Sequence, residues 1–264
     1  MWLATNSGPF ELKELSLTGL GFSLRALHIS DIHFASSQTK KSGFLKDLAT
    51  VKPDLVVNTG DNLGHKNSVN SLLLALEPLL EYPGVFVNGS NDYFSPKVGN
   101  PLKYLAGPSS VEDRVQDLDT HRMVTEFENS GWLNLNNQIG TLTIRGQKLN
   151  FTGVDDPHLG RDKFIPAPSE NLIALAHAPY LRVLGEFVRM NAKLMFAGHT
   201  HGGQICLPGG KALITNCDLP TSQAQGLSNY QQVPLHVSGG IGANIFTPVR
   251  LFCPPTATLI DIRN

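Results

Sequence analysis

The 264-residue chain reads as an α/β protein of two packed mixed β-sheets flanked by helices. Three observations lead there. Short, continuous apolar runs bounded by Gly, Pro and polar residues recur at 27–30, 55–59, 85–87, 172–176 and 194–197, the pattern of parallel strands buried on both faces. Helical patterns fall between them, as in βαβ units. From Leu133 onward the elements become short strands, which calls for a second sheet.

In chain order, a strand at 27–30 is followed by a helical pattern over 43–50, a strand at 55–59, a helix over 68–80 and a strand at 85–87. A helix over 120–129 is closed by Gly131. A hairpin-like pair, 141–145 and 148–151, turns around Gly146-Gln147, and its second run extends to Gly153. The strand at 172–176 leads through Pro179 into a helix over 180–190, then the strand at 194–197. Three further strands are expected at 211–215, 235–238 and 256–260. These elements describe one domain over 1–264, with an amino-terminal extension over 1–23. The irregular segment 93–118 carries Pro96, Gly99, Pro101, Gly107 and Pro108, and such long connections in compact domains often act as binding loops, so it is expected to border a substrate pocket as a lid.

Five of the apolar runs end on metal-ligand chemistry: Asp31 and His33, Asp61, Asn91, His177, and the Gly198-His199-Thr200-His201-Gly202-Gly203 turn. Parallel strands share a carboxyl edge, and open α/β sheets bind ligands in the crevice outside it, so residues 170 positions apart can converge. Imidazoles with carboxylates and one amide oxygen suit Zn, Fe or Mn better than Ca. Seven such residues exceed one tetrahedral ion. They suit two divalent ions sharing a carboxylate, and Asp61 is the natural bridge. His28 and His236 lie inside strand patterns and read as core histidines, whereas His65 and His121 read as surface residues.

Asp31-x-His33, Gly60-Asp61, Gly89-Ser90-Asn91-Asp92, His177 and Gly198-His199-x-His201 resemble, in order, the motifs of calcineurin-like metallophosphoesterases, over about residues 24–240. Within that superfamily the chain most resembles a small bacterial branch, often membrane-associated, that is similar to UDP-diacylglucosamine pyrophosphohydrolases. The resemblance implies a metallophosphoesterase-type αββα sandwich. It implies that Asp31, His33, Asp61 and His201 hold one metal and Asp61, Asn91, His177 and His199 the other. The implied chemistry is hydrolysis of a phosphoester or pyrophosphate by water activated between two ions roughly 3.5–4 Å apart. Small-molecule, nucleotide or lipid-linked substrates and peripheral membrane association follow from the same resemblance.

The third motif departs from the family, which writes Gly-Asn-His followed by an acid. A gapless alignment puts Ser90 at the ligand position and Asn91 at the histidine; a one-residue shift makes Asn91 the ligand, which the better donor strength of a carboxamide oxygen favours. Either way the proton-donating histidine is missing. Asp92, Asp156 and His158 are the candidates to replace it.

A net charge of −1 with 21 Lys plus Arg argues against a dedicated nucleic-acid surface. Lys40-Lys41 and Arg161-x-Lys163 read as solvated faces. Cys206, Cys217 and Cys253 are isolated and odd in number, which indicates neither a disulfide framework nor a thiolate metal site and fits a reducing compartment. No apolar run reaches the roughly 18 residues needed to span a bilayer, so a cytoplasmic protein is expected. A phosphoesterase-like binding scaffold and a nuclease are the competing readings, separable by bound metal and by salt-sensitive nucleic-acid binding.

Overall fold

The computed structural model describes residues 3–4, 8–96, 114–246 and 248–264. Twelve strands build two six-stranded sheets. In chain order they are β1 (Glu11–Thr18), β2 (Leu24–Ile29), β3 (Leu55–Asn58), β4 (Gly84–Phe86), β5 (Leu133–Asn134), β6 (Gln138–Ile144), β7 (Gln147–Gly153), β8 (Leu172–Ala176), β9 (Leu194–Ala197), β10 (Gly226–Tyr230), β11 (Val233–Val237) and β12 (Thr256–Arg263). The first sheet runs β1-β12-β2-β3-β4-β5 and the second β10-β11-β9-β8-β7-β6. β2 through β5 are parallel, as are β7, β8, β9 and β11; β12 is antiparallel to β2, and the β6–β7 and β10–β11 pairs are antiparallel hairpins, so both sheets are mixed.

The apolar runs are continuous because each strand is covered on both faces. Leu24 and Ala26 of β2, Leu55 and Val57 of β3 and Val85 of β4 meet Ile173 and Leu175 of β8 and Leu194 and Phe196 of β9 between the sheets. The alternate residues Leu27, Ile29, Val56 and Phe86 face α1 (Thr39–Asp47), α2 (Val69–Leu80) and a further helix over Thr120–Asn129. On the other side, Leu172, Ala174, Met195 and Leu235 pack on Val183, Leu184 and Phe187 of the helix Leu181–Arg189. Each such Leu or Phe stabilises the fold by roughly 1.5–3 kcal/mol over its exposed state.

Several expectations shift. The first helix begins at Thr39, four residues early, and Lys41 on it is fully buried rather than solvated, its Nζ donating to the Ile32 carbonyl at 2.7 Å. The amino-terminal segment supplies β1, an edge strand parallel to β12. The strand expected at 211–215 shrinks to Lys211–Ala212, paired with Cys206–Leu207 outside the main sheets. Cys206 and Cys253 are not isolated: both sulfurs lie on the Gly202 carbonyl, at 3.1 and 3.4 Å, and no cysteine is bridged. Of the segment 93–118, residues 97–113 lie outside the described residues; its described flanks adjoin the loop that carries Asn91.

A candidate metal centre at the strand ends

Asp31 follows β2, Asp61 follows β3, Asn91 follows β4, His177 follows β8, and His199 and His201 follow β9. Four of these residues and His33 turn their side chains inward from left-handed backbone: Asp31 (φ 50°), His33 (44°), Asp61 (56°), His199 (69°) and His201 (50°). A non-glycine residue there carries strain of about 1 kcal/mol or more, and strain of this kind concentrates at functional sites. Two glycines let the loops close in. A Cβ on Gly89 would stand 2.3 Å from Asp61 Oδ1 and 2.7 Å from the His177 ring; one on Gly198 would stand 2.0 Å from Ser30 Oγ.

Ligand atoms of Asp31, His33, Asp61 and His201 lie within 4.8 Å of one another, and all four residues are buried. His33 Nε2 faces His201 Nε2 at 3.3 Å and Asp61 Oδ2 at 3.5 Å, and His201 Nε2 is 3.5 Å from Asp31 Oδ1. His177 Nε2 approaches the same Asp61 Oδ2 at 3.5 Å. Its ring is held from behind, where Nδ1 donates to the Thr59 carbonyl at 2.7 Å. His201 is held likewise by Nδ1 at 3.1 Å from the Gly242 carbonyl. Asn91 donates from its backbone N–H to Asp61 Oδ1 and from Nδ2 to Asp61 Oδ2, each at 2.7 Å. The His199 ring lies 5.2 Å from that of His177, with Nε2 at 3.2 Å from the Asn216 carbonyl.

The donor set fits a cation. His177 Nε2 is buried with no hydrogen-bond partner, and unpaired buried polar atoms are rare unless a ligand satisfies them. Burial pushes the His33 pKa down to about 4, that of His199 to about 3, and that of His201 well below its ordinary value, leaving neutral imidazoles, the form that binds metal. Burial opposes charge on Asp61 too, yet His177, His33 and the Asn91 donors hold its carboxyl well below the usual range. Burial acts against the His177 imidazolium, but Asp61, Asp31 and Asp156 overcome it and raise the pKa to about 9. The buried field is therefore negative.

The calcineurin-like phosphoesterase family model matches residues 24–203, more than half of the chain and every strand-end residue above. The chain belongs to that family. It is a metal-dependent phosphoesterase, and the family together with the buried Asp–His–Asp–His group supports divalent ions. Among similar proteins, a transmembrane protein with metallophosphoesterase domain from Bos taurus is 29% identical over 69% of this chain, which spans 41% of that relative's length. The uncharacterized metallophosphoesterase YkoQ of Bacillus subtilis is 24% identical over 83% of this chain and 76% of its own. The phosphodiesterase YaeI of Escherichia coli is 25% identical over 90% and 82%. Among the described residues, no helix is long and apolar enough to cross a membrane.

In this phosphoesterase a cavity of about 170 Å³ opens onto the cluster, lined by His33, Asp61, Ser90, Asn91, His158, His199, His201, Gln204, Asn216 and Asn244. Of the three candidate proton donors, His158 alone lines it. The His158 ring is 5.0 Å from that of His199, and its Nδ1 is 3.0 Å from the Tyr180 hydroxyl. Asp156 is fully buried beneath, its Oδ1 accepting from the His158 N–H at 2.9 Å. Asp92 turns away from the cavity: its carboxylate accepts from the backbone N–H groups of Asp61, Asn62, Leu63 and Gly89 at 2.9, 2.7, 3.3 and 3.0 Å. An acceptor so enclosed organises the Asp61 turn and cannot reach a leaving group, which corrects that expectation.

Gln204, Asn216 and Asn244 carry no sequence signal beyond lying in polar, glycine-rich segments. The core histidines are where the strand pattern put them: His28 Nδ1 meets His236 Nδ1 at 2.7 Å between the sheets, and His28 Nε2 meets Thr59 Oγ1 at 2.9 Å. His65 and His121 are exposed.

Proposed function

We propose that the chain hydrolyses a phosphodiester-type bond at a binuclear centre, with Asp31, His33, Asp61 and His201 holding one divalent ion and Asp61, Asn91, His177 and His199 the other. The observation that carries this reading is Asp61 Oδ2, which lies 3.5 Å from His33 Nε2 on one side and 3.5 Å from His177 Nε2 on the other, as a shared carboxylate oxygen should. Mn, Fe or Zn suits the nitrogen and oxygen donors. Bound ions would supply charge for the phosphoryl oxygens and lower the pKa of the attacking water towards about 7.

The protein's own groups shape the rest. Ser90, Gln204, Asn216 and Asn244 give the cavity a neutral, hydrogen-bonding rim, and among the described residues its lining contains no Lys or Arg. A singly charged diester or pyrophosphate linkage suits such a rim better than a doubly charged monoester, whose second charge asks for a further cation. His158, on the cavity wall, is assigned to protonate the leaving oxygen in place of the missing motif histidine, with Asp156 fixing its backbone. Lipid-linked and nucleotide substrates, in the manner of UDP-diacylglucosamine pyrophosphohydrolases, are read as the physiological class, and a cytoplasmic protein with peripheral membrane association goes with that reading.

The test is hydrolysis of bis-p-nitrophenyl phosphate and p-nitrophenyl phosphate by metal-stripped protein reloaded with Mn, Fe or Zn, beside His199→Ala and Asp61→Asn. Activity restored by metal, greater on the diester and abolished in both variants, is expected. Protein that takes up no metal would instead be a binding scaffold.

A further inference from the structure

Arg250 is the largest cation wholly inside the molecule, with no exposed surface. Among the described residues it forms no ion pair with a carboxylate. Its five N–H donors go to backbone carbonyls instead: Nε to Cys253 at 3.0 Å, Nη1 to Gly240 and Gly242 at 2.9 Å each, and Nη2 to His201 at 2.6 Å and to Gly239. A guanidinium has five N–H donors in a rigid planar fork, so this one side chain ties three loops together. Burying a charge costs several kcal/mol unless its hydrogen bonds are complete, and here the carbonyl dipoles take the place of a counter-ion.

Those carbonyls are not arbitrary. One belongs to His201. Another, of Gly242, also accepts from His201 Nδ1 at 3.1 Å, so a single oxygen links the guanidinium to the imidazole whose Nε2 faces His33 and Asp31. The same loop docks on the Asp31 backbone, Gly242 N–H donating to the Asp31 carbonyl at 2.6 Å and Ile241 N–H to the Ser30 carbonyl at 3.0 Å. A Cβ on Gly240 would lie 3.0 Å from Asp31 Cβ and 3.4 Å from His201 Nδ1, so the loop forms the wall behind both residues. Among the described residues, no hydrogen bond joins Arg250 to Asn91, His177 or His199.

We propose that Arg250 is a positioning residue for one half of the metal centre: it fixes the 239–242 loop, and through it the His201 imidazole and the Asp31 backbone, while the His177 and His199 rings rest on the Thr59 and Asn216 carbonyls. This rests on the binuclear reading above. Outer partners that orient a ligand are worth 10–100-fold in metal affinity, and here that effect falls on one ion of two.

The experiment is equilibrium dialysis of metal-stripped protein against graded free Zn or Mn, with metal per chain measured, for the natural protein, Arg250→Lys, Ser238→Ala and Phe187→Leu. Lysine keeps the charge but offers three donors and no planar fork. Ser238 Oγ accepts from the Gly240 N–H at 3.0 Å, so its loss loosens the same loop without removing the cation. Phe187, on the far side of the second sheet, is a control for general destabilisation. The expected result is two binding steps in the natural protein, with one step weakened roughly 10–100-fold in Arg250→Lys and the other unchanged, and kcat falling while KM holds. Ser238→Ala should move the same step by roughly two- to tenfold, the worth of one hydrogen bond. Both steps unchanged, or both weakened together as in Phe187→Leu, would overturn the proposal. If Arg250→Lys does not fold, an unshifted Ser238→Ala overturns it. A natural protein with no binding step at all would bring down the binuclear reading itself, an outcome visible before any variant is compared.

Discussion

The two halves of the centre are built differently although they share Asp61. In the Asp31–His33–Asp61–His201 half, four ligand atoms already lie within 4.8 Å, and the two imidazole nitrogens face each other at 3.3 Å. In the other half, His199 Nε2 lies against the Asn216 carbonyl, and the Asn91 side chain turns its NH2, not its ligand oxygen, to Asp61 Oδ2. The first half is preorganised by backbone. Two buried cations are spent on the carbonyls of its loops, Lys41 on Ile32 and His33 and Arg250 on His201. Both halves line the cavity, the first through His33 and His201 and the second through Asn91 and His199, and the second must also exchange the His199–Asn216 hydrogen bond for a metal bond. Preorganisation lowers the cost of binding, so the first half should hold its ion more tightly and the second should exchange it more readily.

The largest effect should come from removing what the halves share. Asp61→Asn is expected to abolish uptake of both ions and to lower kcat/KM on bis-p-nitrophenyl phosphate by on the order of a thousandfold, since metal assistance supplies several kcal/mol at 1.36 kcal/mol per tenfold. Retention of one ion at natural affinity in that variant would mean that Asp61 is no bridge. Next comes the contrast between His201→Ala and His199→Ala. The first should remove the tighter binding step by roughly a hundredfold or more and the second the weaker step, read by metal titration. Equal loss of both steps in both variants would erase the distinction between the halves.

A third prediction concerns the cavity side of the second half. If His158 protonates the leaving oxygen, His158→Ala should cost roughly a hundredfold with an alkyl phosphodiester, within the usual range of general-acid catalysis, but little with a p-nitrophenyl ester, whose leaving group departs without a proton. Equal losses on both substrates would point to a role in binding. Asp156→Asn should follow the same split with a smaller amplitude, because it acts through the His158 backbone.

How much of this could be read in the sequence follows from what kind of physics made each part. Strands buried on both faces announce themselves as unbroken apolar runs, which is why 172–176 and 194–197 fall on β8 and β9 without adjustment. Residues at the ends of such strands are legible for the same reason, because parallel topology brings them to one edge. Edge strands lack the signal: β1 alternates half-buried and exposed positions, and its sequence ELKELSLT carries no apolar run. Residues whose work is done by backbone contacts are silent as well. Lys41 looks like half of a solvated Lys-Lys pair until the fold delivers the Ile32 carbonyl to its Nζ, and Arg250 stands alone between Val249 and Leu251 with nothing nearby to mark it as a hub. Asp92 is legible as chemistry but not as to role, since a motif cannot say which way a carboxylate turns.

Asp92 provides the smallest and most discriminating test. Its two oxygens receive four backbone N–H groups and the Asn62 side-chain amide, so the residue is an internal cap that shapes the turn presenting Asp61. Asp92→Asn is nearly isosteric but replaces one acceptor by an NH2 group that must face amide donors. The loss of a charge-assisted bond, with a donor left unsatisfied, should cost about 1.5–3 kcal/mol, a Tm lowered by roughly 3–12 °C for a chain of this size. Because the strain is transmitted to Asp61, which both halves share, the two metal-binding steps should weaken together by a modest factor, unlike the one-sided effect expected for Arg250→Lys. Activity at saturating metal should then stay within severalfold of the natural level. A stable Asp92→Asn protein with two tightly bound ions and kcat reduced a hundredfold would return Asp92 to the role of proton donor, and the carboxylate would have to rotate out of its ring of amides to fill it.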